Sequence, residues 1–381
     1  MRVAEIVCVF FPYKGGIGNV ALDNAKILRK YNNDVVVFTP YHREINKKFD
    51  KKIQVKKLLP VLKYGNAAVL ISLFWRLKNF DIVHLHFPFF GSVEIIWLMK
   101  KFKILKAKLI ITYHMDATAG GWLGKIFKFH AKYLTPIILK SADKIIVSSF
   151  DYLKNSNIKN LFEKYPDKFI KIPFGVDLNR FRPREKPIEL IKEYNIQKDE
   201  KIILFVGGLD KAHYFKGIDN LIKVFSKLQF FNCRLIIVGK GNMKLKYEQE
   251  VFDFGLTDKV IFADKVNNYD LCKFYNLADV FVLPSINKAE AFGVVLLEAM
   301  ASGIPVIASN LAGVRSVVRN GVNGFLAESN NVDELVKKIS LLLANNEKAK
   351  IMGVNGRKIA KSAYNKEKID KMLIKVFEDI S

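Results

Sequence analysis

Cysteine, long apolar runs and acidic residues are all scarce in this sequence. Only three of its 381 residues are cysteine, and they stand singly, so neither a disulfide framework nor a zinc-type spacing is available. The longest apolar run, residues 67–75, is far shorter than the roughly 20 residues that a membrane-spanning helix needs. The apolar N-terminus lacks a signal-peptide cleavage site and is more typical of a first strand. These absences favour a reduced, cytoplasmic protein.

The composition is that of a folded protein with a large excess of positive charge. Hydrophobic residues make up 50% of the chain and no internal repeat is visible, which excludes a largely disordered protein. The chain carries a formal net charge of +25, and its first 180 residues hold 31 Lys and Arg against 13 Asp and Glu. We therefore expect the first half to meet something acidic. A nucleic-acid-binding protein is one such class, although no recognisable nucleic-acid motif is present.

The most informative stretch combines strand and helix signals within thirty residues. Val280–Leu283 reads as a buried strand, Val294–Ala301 as a helix that Gly303 and Pro305 end, and Val306–Ala308 as the next strand. Alternating strands and helices along the whole chain predict an α/β protein with parallel, doubly wound sheets. A ligand site is then expected at the carboxyl edge of the sheet.

Two glutamates bracket the start of this helix. The first N–H groups of a helix attract anions, so Ala291, Phe292 and Gly293 are placed to meet a phosphate. Glu290 precedes the helix and Glu298 lies inside it, and a carboxylate suits the vicinal hydroxyls of a sugar. Two ordinary solvated glutamates are the alternative for any such pair. The spacing is compatible with a nucleotide-sugar, which has a sugar on each side of its diphosphate.

The run from Glu290 through Glu298 to Val306 resembles the signature of the family-four retaining glycosyltransferases. The resemblance implies a GT-B fold, in which two Rossmann-like doubly wound domains face each other across a cleft. It also implies that Glu290 approaches the donor sugar and that Glu298 holds the nucleotide ribose. Retention of configuration follows from the same resemblance, with no required metal and no cofactor beside the nucleotide-sugar donor.

Further candidate residues come from glycine-rich loops and strand ends. The resemblance assigns Gly15 and Gly16 to a loop that approaches the donor diphosphate, and His114 to a position close to the reacting sugar and the acceptor. His84 and His86 share one strand face, which could suggest metal ligation. No third ligand stands at a plausible spacing, and such a pair is more often hydrogen-bonded structure or pocket lining, so we predict that no metal is bound.

The second half supplies a basic residue for the donor. Lys216 matches the lysine of the family's basic pair, and a lysine beside a glycine suits a diphosphate. Gly208 stands where the paired arginine is usual, so either Lys211 or His213 is expected to supply the missing charge. Backbone contacts to the nucleotide are also expected at Gly241 and Val266. Near Val266, Asp264 stands where a glycine is usual.

The predicted organisation has three parts. Residues 1–178 form an acceptor-side domain, residues 179–365 bind the nucleotide-sugar, and residues 366–381 form a helix that crosses back to the first domain. We expect transfer of a hexose from a nucleotide-diphospho-sugar to a hydroxyl of a glycolipid or cell-surface glycan. A UDP-sugar is the first choice of donor and a GDP-sugar is the second. A nucleotide-sugar epimerase or phosphorylase of the same shape is the alternative enzyme.

Three basic and apolar segments in the first half predict contact with an anionic membrane surface. They are Lys56–Lys78, Trp97–Lys108 and Trp122–Tyr133. In the last two, lysines recur among large apolar residues at spacings compatible with helices that have one basic and one apolar face. The alternative is that these helices bury their apolar faces in the core and leave the lysines in water.

Overall fold

The chain divides into two compact units. The computed structural model describes residues 1–11, 16–41, 53–118, 120–264, 266–267 and 269–380. The first unit comprises residues 1–173 and 369–381, and the second comprises residues 174–368. The division falls a few residues before the predicted boundary at 178, because Arg357 donates hydrogen bonds to the carbonyls of Leu178 and Phe181 at 3.1 and 2.7 Å.

The described part of the first unit contains a seven-stranded parallel sheet and a short antiparallel hairpin. Its strands are β1 Arg2–Ile6, β2 Asp34–Pro40, β3 Gln54–Leu58, the hairpin strands β4 Leu62–Tyr64 and β5 Ala67–Val69, β6 Ile82–Phe87, β7 Lys108–Tyr113, β8 Lys144–Val147 and β9 Phe169–Lys171. The sheet order is β3-β2-β1-β6-β7-β8-β9. Strand order therefore reverses between β1 and β6, which is where ligands of such sheets bind.

The helices of the first unit cover both faces of this sheet, as parallel strands require. They are α1 Gly16–Lys30, α2 Leu73–Arg76, α3 Ser92–Lys101, α4 Gly121–Phe129, α5 Thr135–Lys140, α6 Phe150–Lys154 and α7 Lys159–Lys164. A π-helical turn, His130–Leu134, joins α4 to α5. The chain's last helix returns to this unit, where Leu373 and Phe377 pack in one core cluster with Val3 of β1.

The second unit has a six-stranded parallel sheet in the order β12-β11-β10-β13-β14-β15. Its strands are β10 Lys201–Val206, β11 Cys233–Val238, β12 Val260–Phe262, β13 Val280–Leu283, β14 Val306–Ser309 and β15 Gly324–Ala327. Its described helices are α8 Ile188–Glu193, α9 Ile218–Ser226, α10 Lys244–Asp253, α11 Leu271–Leu277, α12 Val294–Ala301, α13 Val332–Ala344 and α14 Asn346–Ala363. The chain's last helix, α15 Lys366–Glu378, belongs to the first unit from Ile369 onward. Strand order reverses between β10 and β13.

The predicted α/β class with two Rossmann-like sheets is confirmed. One local prediction was wrong: the segment Trp97–Lys108 is helical only as far as Lys101. Lys103 adopts a left-handed φ of 55°, and the Ile104 N–H turns back to the Met99 carbonyl at 2.8 Å. This turn caps α3 before β7 begins. Among the described residues, no helix is both long and apolar enough to cross a bilayer.

A glycine at the start of α9 is required by the close approach of two loops. Gly217 has a φ of 73°, and a Cβ built on it would lie 2.1 Å from the Pro284 carbonyl oxygen. Gly255 has a φ of 65° with no heavy atom within 4 Å of a built Cβ, so it carries the backbone strain without the clash.

We predict that Gly217→Ala lowers the free energy of unfolding by roughly 2–4 kcal/mol, because strain and overpacking add. Gly255→Ala is the matched control and is expected to cost only about 1 kcal/mol. Chemical denaturation followed by circular dichroism measures both values. Equal losses for the two variants would show that the approach to Pro284 imposes no constraint.

Candidate active site

The second unit collects the predicted donor-site residues at one edge of its sheet. The loop after β10 and the loop after β13 meet there, because these strands are neighbours at the reversal of strand order. The Ile286 N–H donates to the Phe215 carbonyl at 2.7 Å and joins the two loops. This edge is the carboxyl edge of the sheet, where α/β proteins bind their ligands.

A buried ion pair links these two loops. The Lys216 ammonium lies 2.7 Å from Oε2 of Glu290, and only 14% and 10% of the two side chains are exposed. The stem of Lys216 crosses Gly207 so closely that a Cβ there would lie 2.7 Å from its Cδ. Ser285 Oγ lies 3.5 Å from the same Glu290 oxygen. The pair thus places one positive and one negative group side by side at the sheet edge.

Helix α12 begins beside this pair. Gly293 precedes the helix with a left-handed φ of 80°, and a Cβ there would lie 2.7 Å from Cδ1 of Leu296. Phe292 is buried in edge-on contact with Phe174 and Tyr364. This anchor holds the backbone of the half-buried Ala291 at the helix start, where N–H groups carry partial positive charge.

Glu298 lies inside α12 and is bound by a tyrosine that the sequence did not single out. The Tyr275 hydroxyl donates to Oε2 of Glu298 at 2.7 Å and also lies 3.3 Å from the Val295 carbonyl. Burial raises the pKa of the half-buried Glu298 carboxyl above its ordinary value, while Tyr275 and Arg180 act in the opposite direction. Tyr275 stands in an ordinary apolar helix pattern, which gave no signal of this role.

Lys211 and His213, the two residues considered as replacements for the arginine expected at Gly208, have different surroundings. The ring of His213 lies against Gly208, so close that a Cβ there would be 2.7 Å from its Nδ1. The same nitrogen lies 2.8 Å from Oδ2 of Asp210. Lys211 is exposed, and its backbone N–H donates to Asn242. The imidazole of His213 therefore lies beside Gly208.

The remaining second-unit candidates lie in loops after β11 and β12. Gly241 packs against the loop after β10, with a built Cβ only 2.0 Å from the Leu209 carbonyl carbon. Asp264 adopts a left-handed φ of 43°, which explains why a glycine suits this position better. Its carboxylate binds Lys244 at 2.8 Å. Val266 follows as a half-buried residue.

The first-unit candidates follow β1 and β7 in the chain. Gly15 lies outside the described residues, and Gly16, which was assigned to a loop, is the first residue of α1. His114 follows β7 and is buried, and its N–H donates to the Phe87 carbonyl at 3.0 Å. Burial, together with the neighbouring His86, holds the pKa of His114 well below its ordinary value. His114 is therefore neutral.

A buried network that the sequence analysis missed surrounds His114. Glu5 of β1 is fully buried and contacts His84 and His86, whose hydrogen-bond partners the sequence did not identify. His86 contacts His114 at 2.9 Å. An acid in the otherwise apolar run of β1 is the signal that could have revealed this network, because a buried carboxylate needs partners.

Two family models match nearly the whole chain. Residues 188–359 match "Glycosyl transferases group 1", and residues 14–180 match "Glycosyltransferase Family 4". The chain belongs to the group 1 glycosyltransferases. This glycosyltransferase therefore carries Lys216, Glu290 and Glu298 within the first match and His114 within the second.

Individual proteins extend the comparison. An uncharacterised glycosyltransferase of Methanocaldococcus jannaschii is 35% identical over about half of either protein, 54% of this chain and 51% of the relative. The O-antigen chain mannosyltransferase C of Escherichia coli is 26% identical over 94% of this chain and 93% of its own. Anabaena HepE, solved in complex with UDP and glucose, covers 99% of both chains with a TM-score of 0.78 at 18% identity. At that identity the likeness shows the fold, which is GT-B.

Proposed function

We propose that this glycosyltransferase moves a hexose, with retention of configuration, from a nucleotide-diphospho-sugar to a hydroxyl of a glycolipid or cell-surface glycan. The observation that carries the proposal is the Lys216–Glu290 pair beside the start of α12. A diphosphate needs positive charge and N–H donors, and a donor sugar needs hydroxyl acceptors. The second unit brings these groups to one edge of its sheet.

The diphosphate would bind where Lys216 and the first turn of α12 meet. A diphosphate there becomes a partner of the lysine, beside or instead of the Glu290 carboxylate. The lysine then stabilises the negative charge that grows on the leaving diphosphate. Glu290 then accepts from hydroxyls of the donor sugar, while Glu298 accepts from the ribose. His213 beside Gly208 is the candidate for a second positive group. No metal is required in this scheme.

The proposed reaction takes place on one face of the donor sugar. The bond between the anomeric carbon and the diphosphate oxygen breaks, and the acceptor oxygen forms its bond to the same carbon. The proton of the acceptor hydroxyl passes to the leaving diphosphate. Glu290 is engaged by Lys216 and is assigned to binding rather than to nucleophilic attack. We assign His114, at the end of β7, to the reacting sugar and acceptor.

The base of the donor is proposed to be uracil, with guanine second. HepE, which shares the fold, was solved with UDP and glucose, and this supports the choice. The mannosyltransferase relative, named for its O-antigen chain, supports a glycan acceptor. Family membership favours glycosyl transfer over epimerisation or phosphorolysis. A basic nucleic-acid-binding protein has no support from the family models.

We predict that Glu298→Gln weakens binding of UDP, whereas Glu290→Gln mainly slows transfer. A lost hydrogen bond to a charged group costs roughly 1.5–3 kcal/mol, and the two losses fall on different steps. Glutamine keeps the shape of each side chain and an acceptor for Tyr275. Titration calorimetry with UDP and initial rates with UDP-sugars separate the effects. Unchanged binding and rates in both folded variants would remove the site assignment.

We predict that Lys216→Ala loses most activity and that EDTA leaves wild-type turnover intact, because the lysine offsets the leaving-group charge. Lys186→Ala is the matched control, since Lys186 also pairs with a carboxylate, Asp279 at 2.9 Å, but next to the amino end of β13. Control activity is expected to match the wild type. Loss of turnover with EDTA would contradict the metal-free scheme.

We also propose that the first unit binds an anionic membrane surface. The helix formed by α4, the π turn and α5 has a row of large exposed apolar side chains along it. They are Trp122 (66% exposed), Ile126 (48%), Phe129 (60%), Tyr133 (49%) and Ile137 (52%). The lysines beside them, Lys125, Lys128 and Lys132, are exposed too. An apolar row flanked by lysines suits the interface of an anionic leaflet.

The other two segments adjoin this helix through α3. Trp97 and Lys101 of α3 line a shallow pocket together with Ile137 of α5. The hairpin β4–β5 reaches α3 through Ser92, whose hydroxyl donates to the Ala68 carbonyl at 2.7 Å. Phe102 next to α3 and Leu62 of the hairpin are exposed by 66% and 68%. Exposed apolar side chains of the three segments thus lie next to α3 or on elements that contact it.

We predict that the protein sediments with vesicles containing phosphatidylglycerol but not with phosphatidylcholine alone. The double variant Trp122→Ser with Phe129→Ser is expected to lose this binding. The double variant Lys125→Glu with Lys128→Glu is expected to lose its salt-sensitive part, because each lysine near an anionic leaflet contributes about 1 kcal/mol of binding free energy. Phe230→Ser with Phe252→Ser is the matched control, because these phenylalanines are equally exposed on the second unit, at 74% and 68%. Lys100 is left unchanged in these variants because it forms an ion pair with Asp143.

Binding that ignores lipid charge, or an equal loss in the control variant, would contradict the membrane proposal. A soluble acceptor would then be the better choice for this glycosyltransferase.

A further inference from the structure

Five polar side chains form one continuous buried row in the first unit. Thr112 Oγ1 lies 2.7 Å from Nε2 of His84, whose Nδ1 lies 2.9 Å from Oε1 of Glu5. The other carboxylate oxygen of Glu5 lies 2.8 Å from Nε2 of His86, and Nδ1 of His86 lies 2.9 Å from Nε2 of His114. Glu5, His84 and His86 are fully inaccessible to solvent.

Strand register brings these residues together. Glu5 of β1 pairs directly with His84 of β6, and His86 of β6 pairs with Thr112 of β7. Alternate residues of a strand point to the same face, so His86 lies beside His84, and His114 lies one step beyond Thr112. The row therefore runs across three adjacent strands and ends at the residue assigned to the reaction centre.

The protons of this row can be placed from the contacts. Burial alone raises the pKa of Glu5, but interactions with His84 and His86 outweigh it and lower that pKa to about 2, so Glu5 is ionised. An ionised carboxylate only accepts hydrogen bonds, so Nδ1 of His84 and Nε2 of His86 carry hydrogen. Burial lowers the pKa of His86, which is neutral and has its lone pair on Nδ1. His114 must then donate from Nε2.

We propose that Glu5 and His86 are positioning residues for His114. The Glu5 carboxylate fixes the tautomer of His86, and His86 in turn fixes His114 as the Nε2–H tautomer, with its hydrogen-bond acceptor at Nδ1. A neutral imidazole whose tautomer is fixed keeps its hydrogen-bond donor and its acceptor at defined nitrogens. The inference rests on the proposed function, in which His114 contacts the reacting groups, and it adds the groups that prepare this histidine.

A metal ion is the competing use of these side chains. One ligand atom each of Glu5, His84 and His86 lies within 4.8 Å of the others, which is close enough for a shared ion. Each of these atoms is already a hydrogen-bond partner at 2.8–2.9 Å. Both ring nitrogens of each histidine and both oxygens of the carboxylate are accounted for by the row itself. An ion bound here would have to replace these hydrogen bonds, so the two uses of the cluster exclude each other.

Two matched variants separate positioning from mere structure. In His86→Gln, the side-chain amide can replace Nε2–H and keep the bond to Glu5, but the acceptor for His114 is lost. In His84→Asn, the amide can replace Nδ1–H and keep the bond to Glu5, but the acceptor for Thr112 is lost. Each variant thus keeps one buried bond and loses another, and only the first loss reaches His114.

The first measurement is the tautomer of His114 by nitrogen NMR of histidine-labelled full-length protein. We expect the Nε2–H form in the wild type and in His84→Asn, and a mixture or the Nδ1–H form in His86→Gln. Resonances are assigned with His114→Ala. A wild-type His114 in the Nδ1–H form would overturn the proposal without any variant. Zinc bound stoichiometrically to the purified protein and lost in His86→Gln would also overturn it.

The second measurement is turnover of UDP-sugars. His86→Gln is expected to lower kcat roughly tenfold or more and to keep the donor KM within about twofold of the wild type. The rates of His84→Asn are expected to stay within about twofold of the wild type. If His114→Ala abolishes turnover and the two variants are equally active, only the positioning inference fails. If His114→Ala leaves kcat unchanged, the role assigned to His114 in the proposed function fails, whatever its tautomer.

Discussion

Reversal of strand order is the constraint on which both units depend. Between β10 and β13 the chain changes direction across the sheet, so two loops distant in sequence end side by side. Lys216 and Glu290, 74 residues apart, form their ion pair there. The first unit repeats the arrangement between β1 and β6, where Glu5 meets His84. In each unit a carboxylate is bound to a basic side chain across the reversal.

The two units treat their buried carboxylates differently. Glu5 has no exposed surface and two histidine partners, so its charge is stabilised by side chains of the protein alone. Glu298 has only a tyrosine hydroxyl at 2.7 Å as its described hydrogen-bond donor, and burial raises its pKa. A carboxylate that has few donors gains most from the hydroxyls of a ligand. This contrast is consistent with the positioning role proposed for Glu5 and the binding role proposed for Glu298.

Local features were predictable from the sequence, and long-range ones were not. The bounds of β13 and α12 follow from apolar runs and from Gly303 and Pro305, which end the helix, and the structure agrees. The turn that ends α3 at Lys101 was missed because lysine in a left-handed conformation has no sequence signal. Contacts of Tyr275 with Glu298 and of His213 with Gly208 depend on loop conformation, and the Glu5 network depends on which strands are neighbours.

The π turn between α4 and α5 has a consequence for how this helix could change during evolution. A regular helix advances about 100° per residue, so the stretch from Trp122 to Ile137 covers about four turns. The wider turn at His130–Leu134 holds one residue more than a regular turn, as if one residue had been inserted into the helix. Deleting one residue here would restore a regular turn and leave the helical segments on either side in the same phase. The chain length is therefore freer at this turn than inside α4 or α5, where losing one residue would rotate every later side chain by about 100°.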